Sequence, residues 1–335
     1  MLGTSPNPLS INLAGIDLRN PVILAAGTAG LLDELRDVLD LGLIGAVTTK
    51  SITPNPREGN NAWRILPLRA GMINAIGLAN PGLDAFVESH APRARAMPCK
   101  VFVSAAGFSI DDYVAVAANI DAYAADSGGV FTAIELNVSC PNVHTGTEFG
   151  STPALITELL RAVRPVVKHC KLWPKLSPAT GDLVGVAGAA ISQGVDALTI
   201  GNTMPAMLID VETRRPALSN ITGGLSGPAL HPVALKHVHD VYRKVAKGAN
   251  VPIIAAGGVM RWEDAAEFIL AGASAFQMGT ALFADPRSPI DVCKGLSAWV
   301  KRQGKSNIGE LVGALDLDSP RGPASDQTRK ASSER

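Results

Sequence analysis

VPIIAAGGVMRWEDAAEFILAGASAFQMGTAL, residues 251–282, decides the fold. It opens with an apolar run, 251–258, that closes on two glycines. An amphipathic stretch follows at 262–271, then a second apolar run at 275–282 that carries Gly279-Thr280 near its end. Strands that are apolar on both faces belong to parallel sheets covered on both sides, so the unit reads as strand, helix, strand. The same alternation extends toward the N-terminus. Further apolar runs lie at 22–27, 46–51, 101–107, 132–140, 170–177 and 197–203, each closed by Gly, Ser, Thr, Asn or Cys. Amphipathic stretches lie at 32–41, 111–124, 152–167 and 233–245. Strict alternation with a count of eight predicts an α/β fold, a single (β/α)8 TIM barrel. An open doubly wound sheet is the competing architecture. Residues 10–21 alternate polar and apolar positions around Gly15, which predicts an N-terminal β-hairpin plugging the barrel floor.

The barrel is expected to occupy residues 1–315. Residues 316–335 are rich in Pro, Ser and charge and are read as a disordered tail. Three long connections, at 52–82, 141–151 and 204–230, leave the carboxyl ends of strands two, four and six. That end of a (β/α)8 barrel carries the active site, and long loops there are usually functional.

Composition narrows the classes of function. Thirty basic and thirty acidic residues give a formal net charge of zero, without the basic face that nucleic-acid binding needs. No apolar run approaches the ~18 residues needed to span a bilayer. The N-terminus, MLGTSPNPLS, lacks a basic region leading into an apolar stretch, so no signal peptide is expected. Cys99, Cys140, Cys170 and Cys293 are far apart, without CxxC spacing. Disulfides, a zinc site and an iron–sulfur cluster are therefore not expected, and a reducing, cytoplasmic setting is.

Chemistry gathers at the strand ends. Asn137-Val138-Ser139-Cys140-Pro141-Asn142 closes the fourth run. A cysteine alone is most often core filler. Ending a barrel strand between two asparagines, Cys140 reads instead as a proton acceptor beside groups that bind amides or a carboxylate. Lys50 ends the second run and Lys175 the fifth, and two lysines at carboxyl ends suggest an anionic ligand. Lys175 could alternatively form a Schiff base with a carbonyl substrate. Gly223-Gly224-Leu225-Ser226-Gly227 precedes a helix, Gly257-Gly258 closes the seventh run and Gly279-Thr280 lies near the end of the eighth. Loops after strands seven and eight of such barrels often hold a phosphate, and glycines let backbone N–H groups approach it.

On these residues the chain resembles the class 1 dihydroorotate dehydrogenases, and within them the class 1B catalytic subunits. The match spans roughly residues 9–285 and is carried by NVSCPN (137–142), AGMINAIGLANPG (70–82), NITGGLSGPA (220–229) and the AAGG and GTA strand ends. Cys140, where class 2 has serine, and the missing N-terminal membrane helix favour class 1. The resemblance implies oxidation of (S)-dihydroorotate to orotate in pyrimidine (UMP) biosynthesis. Cys140 would take the proton from C5 while hydride leaves C6 for FMN. Lys50, Asn74, Ala75, Ile76, Gly77, Leu78, Asn137, Asn142, Asn202 and Thr203 would hold the substrate. Ala26, Lys50, Ser51, Ser104, Asn137, Lys175 and Gly201 would contact the flavin, Lys175 stabilising negative charge on it once reduced. Gly227, Gly257, Gly258, Gly279 and Thr280 would bind its phosphate. No metal is implied.

The resemblance further implies a partner subunit carrying FAD and an iron–sulfur cluster that passes electrons to NAD, around a homodimer core of a heterotetramer. Fumarate is the other acceptor left open. Rival readings are a dihydropyrimidine dehydrogenase-like flavoenzyme, a Schiff-base lyase and a non-catalytic phospholigand-binding barrel. Pro174 departs from the usual pattern, because proline removes a ladder donor within a central strand.

Overall fold

The computed structural model describes residues 7–139 and 148–318. Eight parallel strands close into a barrel: β1 (Val22–Leu24), β2 (Ala46–Thr48), β3 (Lys100–Ala105), β4 (Ala133–Asn137), β5 (Lys171–Leu176), β6 (Leu198–Ile200), β7 (Ile253–Ala256) and β8 (Ala275–Met278). Each pairs with the next in sequence, and β8 returns to β1 through Phe276–Val22 to Met278–Leu24. The ring is the (β/α)8 architecture expected from the alternation, and the open sheet is excluded.

Helices α1 (Ile110–Asp126), α2 (Pro153–Val163), α3 (Leu183–Ser192), α4 (His231–Val241), α5 (Trp262–Ala271) and α6 (Ser288–Arg302) surround it. Ser109, Thr152 and Asp182 start three of them by accepting the N–H of Asp112, Leu155 and Gly185, which satisfies orphan donors of the first turn.

One expected helix is absent. Residues 32–41 form a chain of turns, with bonds such as Arg36 N–H to Asp33 O and Val38 N–H to Leu35 O. The acidic side chains are committed elsewhere. Glu34 accepts the N–H groups of Leu31 and Leu32, and Asp33 binds Arg36 and Arg93. Such local side-chain bonds offer the backbone an alternative to the helical ladder. The apolar period that suggested a helix still serves packing, since Leu32 and Leu39 are buried.

Pro174 sits within β5, opposite Leu136 of β4. The carbonyls of Leu172 and Leu176 accept from Asp196 and Gly201 on the β6 side, so by period two Pro174 faces that side as well. The paired stretch with β6 starts only at Lys175, so the missing donor falls just short of it.

The core has two parts. The larger fills the space between strands and helices. The smaller lies inside the barrel, where β1, β3, β5 and β7 contribute Ile23, Phe102, Trp173 and Ile254, and the strands between them contribute Ala46, Ala133, Ala197 and Ala275. Bulky groups on odd strands and alanines on even ones let a narrow barrel fill without overpacking. Phe102 and Trp173 meet edge to face, with centroids 5.1 Å apart. The N-terminal hairpin, Ile11–Leu13 with Ile16–Leu18, adds Leu13, Ile16 and Leu18 to this cluster and closes the floor as expected.

Asp121 ties α1 to the connection before β5. Its carboxylate accepts the N–H groups of Lys168, His169 and Cys170 at 2.9, 2.9 and 2.7 Å. Burial opposes ionisation, but the three N–H donors outweigh it and hold the carboxyl below its usual range. Asp121→Ala is expected to cost about 3 kcal/mol in urea unfolding at neutral pH, because three donors lose an ionised acceptor. A depressed folded pKa gives stabilisation that is complete above the unfolded value of about 3.9 and is lost as pH falls through the folded one. The gap between wild type and variant should therefore narrow in acid.

Candidate active site

The loops after β2 and β6 build the site's roof. They pair into one antiparallel sheet of four strands in the spatial order Met204–Met207, Thr222–Ser226, Gly71–Asn74, Ile65–Leu68. Asn74 lies opposite both Gly224 and Ile65, and its amide donates to the Gly224 carbonyl at 3.3 Å. Between this sheet and the carboxyl ends of the barrel strands is a hollow of about 800 Å³.

Most of the residues singled out from sequence line that hollow. They are Ala26, Lys50, Ser51, the segment Asn74, Ala75, Ile76, Gly77 and Leu78, then Asn137, Lys175, Asn202, Thr203, Gly227, Gly257, Gly258, Gly279 and Thr280. Two expected flavin contacts do not reach it. Ser104 has no exposed surface; its hydroxyl lies 2.8 Å from that of Ser51, which does line the hollow. Gly201 is enclosed against β7, where an added Cβ would fall 1.7 Å from the Ala256 carbonyl oxygen. Cys140 and Asn142 lie outside the described residues.

Polar groups hold one another at the end of β4. The Asn137 amide donates to Ser51 Oγ at 3.2 Å, and the Asn202 amide donates to Asn137 Oδ1 at 3.3 Å and Ser139 Oγ at 3.2 Å. Tyr113 donates its hydroxyl to the Asn137 carbonyl at 2.7 Å. These bonds, with the Thr203 N–H donated to Asn202 Oδ1 at 2.9 Å, fix two amide side chains that line the hollow, a surface suited to a small ring that carries amides.

Elsewhere the lining turns to glycine. Gly227 and Gly258 have φ of +94° and +72°. A Cβ on Gly258 would sit 2.6 Å from the Gly227 carbonyl oxygen. His231 braces this turn, with Nδ1 3.1 Å from the Gly257 carbonyl and Nε2 2.8 Å from Glu267. Thr280 donates its hydroxyl to Ser226 Oγ at 2.9 Å. Close backbone with φ > 0 suits an anion held by main-chain N–H groups, which fits the phosphate end of a flavin mononucleotide.

Several lining residues were not anticipated. The Arg57 guanidinium stacks over Phe108, 4.6 Å from the ring centroid, and its Nε donates to the Gly77 carbonyl at 3.2 Å. Glu148 lines the hollow, and burial pushes its carboxyl above the usual range. Gln277 lies on the floor beside Lys175. Arg57 and Glu148 come from the long loops, where no period marks a direction. Gln277 had a signal, since it interrupts the apolar run AFQM.

A family model described as dihydroorotate dehydrogenase matches residues 8–300. A relative from Bacteroides thetaiotaomicron, named dihydroorotate dehydrogenase B (NAD(+)), catalytic subunit, is 42% identical over 310 residues, 92% of this chain and 99% of its own. A relative of the same name from Geotalea daltonii is 43% identical over 310 residues, 92% of this chain and 98% of its own. Among solved structures, an Eimeria tenella DHODH in complex with ferulenol superposes with a TM-score of 0.77, covering 94% of this chain and 90% of that one. At 24% identity that likeness speaks to the fold alone.

Proposed function

The chain belongs to the dihydroorotate dehydrogenase family, and from that premise we infer that the hollow over its barrel is where (S)-dihydroorotate is oxidised to orotate. Within the family it is of the B-class catalytic-subunit type, a flavin-dependent oxidoreductase of pyrimidine biosynthesis. The observation that carries the reading is the mixed lining of one hollow. Asn74, Asn137, Asn202 and Lys50 line the same space as Gly227, Gly257, Gly258, Gly279 and Thr280, with Lys175 at its floor.

Each set has a chemical task. Dihydroorotate is an anion with ring amides, and the asparagines and Lys50 supply amide partners and a cation. Asn142 joins that set by resemblance. The cofactor of the reading is FMN, whose phosphate Gly227, Gly257, Gly258, Gly279 and Thr280 would hold. When bound, it supplies the redox chemistry. Lys175 places positive charge at the floor, where a preorganised cation favours negative charge developing on the flavin. Cys140 is the base that removes the substrate's proton.

The reading includes a partner subunit carrying FAD and an iron–sulfur cluster and delivering electrons to NAD, with a homodimer of this chain at the centre of the assembly. The relatives' designation as a catalytic subunit supports it. A cytoplasmic setting belongs to the same reading; among the described residues, no helix is long and apolar enough to cross a membrane.

The test uses purified protein reconstituted with FMN. Anaerobic dihydroorotate is expected to bleach the flavin absorbance, and uracil added to the reduced protein is expected not to restore it. Absence of bleaching by dihydroorotate, together with reoxidation by uracil, would overturn the assignment of substrate. Isolation from the native host is expected to bring down a flavin–iron–sulfur companion. Turnover of the lone chain with fumarate would overturn that part.

A further inference from the structure

Beneath the hollow the barrel interior turns polar. On the even strands the inward alanines Ala46, Ala133, Ala197 and Ala275 are followed two residues later, on the same face, by Thr48, Glu135, Thr199 and Gln277. None of these four is more than 2% exposed. Glu135 is the hub. Its Oε2 accepts from Thr199 Oγ1 at 2.7 Å, Gln277 Nε2 at 2.6 Å and Trp173 Nε1 at 3.4 Å. Among the described residues its Oε1 is buried without a hydrogen-bond partner, and it faces Lys175 Nζ across 3.8 Å. Lys175 donates to Gln277 Oε1 at 2.8 Å. The Gln277 amide thus bridges cation and carboxylate in the only orientation both accept, because lysine is a donor and an ionised carboxylate an acceptor.

A fully buried carboxylate requires a counter-charge or its proton, and the same holds for a cation with little water access. Lys175 and Gln277 line the hollow, whereas Glu135 does not reach it. The lysine that meets a ligand is therefore the exposed end of a buried pair.

We propose that Glu135 is a positioning residue whose buried carboxylate holds Lys175 through Gln277 and offsets its positive charge, lowering the hollow's attraction for electrons and anions on the bound flavin. The proposal rests on the reading that a flavin occupies the hollow. A flavin held in the hollow would carry more negative charge once reduced, and Lys175 without Glu135 would favour that state strongly. With Glu135 below, the cation favours reduction enough for the substrate step while leaving the electrons free to move on to the next acceptor.

Sulfite is the probe. As an anion it adds to oxidised flavin more tightly where the surroundings are more positive, and the adduct bleaches the visible absorbance. Glu135→Gln keeps the shape and an acceptor for Thr199 and Gln277 but removes the charge. In the FMN-loaded protein it is expected to lower the sulfite dissociation constant by about tenfold or more, as an unscreened charge at close range requires. An unchanged constant with flavin fully bound would overturn the proposal. Should Glu135→Gln not fold, the double variant Glu135→Gln/Lys175→Gln decides instead. The double variant leaves no unpaired buried charge and is the gentler change. Lys175→Gln leaves Glu135 without its counter-charge, so the comparison that decides is the double variant against wild type: with both charges removed together, sulfite is expected to bind within a few-fold of wild type. A double variant about tenfold weaker than wild type would overturn the proposal. Wild-type protein that takes up no flavin overturns the reading of the hollow, and this proposal with it. Flavin-loaded protein that ignores Glu135 overturns this proposal alone.

Discussion

Cys140→Ser is expected to lower turnover near pH 7 by about 10²–10⁴-fold while leaving flavin bound, the range that removal of a positioned general base produces. Burial pushes Cys99, Cys170 and Cys293 up to about 12, so none of them offers thiolate near neutrality. Cys140 itself lies outside the described residues. Both of its described flanks line the hollow, Ser139 before it and Glu148 after it. An unperturbed thiol titrates at about 8.5, so a modest change in environment makes it a useful base at neutral pH. A serine hydroxyl titrates far higher and accepts a proton poorly there. The sign follows: wild-type rate rises with pH through the thiol's pKa and levels off, whereas the variant's residual rate keeps rising into alkali. Steady-state rates with dihydroorotate across pH, paired with the flavin absorbance of each preparation, check both halves. Turnover and flavin lost together would mean that Cys140 serves the structure and not the proton.

How far the sequence carried the fold can be judged from particular elements. Seven of the eight barrel strands lie within the apolar runs that predicted them, and the third begins one residue before its run, at Lys100, because burial on both faces leaves a continuous signal. The hairpin floor was legible because period two survives in six residues, Ile11–Leu13 and Ile16–Leu18. The stretch at 32–41 misled because its apolar spacing is real, while its hydrogen bonding is decided by where Glu34 and Asp33 find donors. The roof was hidden for another reason. Its two halves, 71–74 and 222–226, lie about 150 residues apart, and each alone is a short, glycine-containing segment without a clear period.

Within the site, residues at strand ends were found because a strand's direction fixes where its end points. Arg57 and Glu148 were missed because a loop's direction is set by tertiary contacts. Glu135 and Gln277 are the instructive omissions. Each breaks an apolar run in plain view, in AIELN and AFQM. A charged residue at an inward position of a barrel strand implies a buried partner, and the partner, Lys175, had already been singled out.

Gly258→Val carries the second large effect, expected to reduce flavin affinity by about a hundredfold or more while the barrel survives. Gly-Gly in sequence is weak evidence, and what gives it force is the space around Gly258. Its φ of +72° is one that a β-branched residue adopts only with strain. A Cβ there would meet the Gly227 carbonyl oxygen at 2.6 Å and His231 Cβ at 2.9 Å. Gly227 cannot yield easily, because its own Cβ position is 2.7 Å from Gly71 Cα in the roof sheet. The added side chain therefore spreads the turn after β7 away from the loop that starts α4, and the backbone N–H groups expected to grip a phosphate diverge. β7 itself ends at Ala256, and its pairing with β6 and β8 precedes the altered position, so circular dichroism should change little. Flavin titration by fluorescence quenching measures the loss. Gly248→Ala is the matched control: it lies in the short helix Lys247–Ala249 with nothing within 4 Å of an added Cβ, and flavin affinity should not respond. Wild-type affinity in Gly258→Val would place the phosphate elsewhere, because no group larger than a proton fits that turn as it stands.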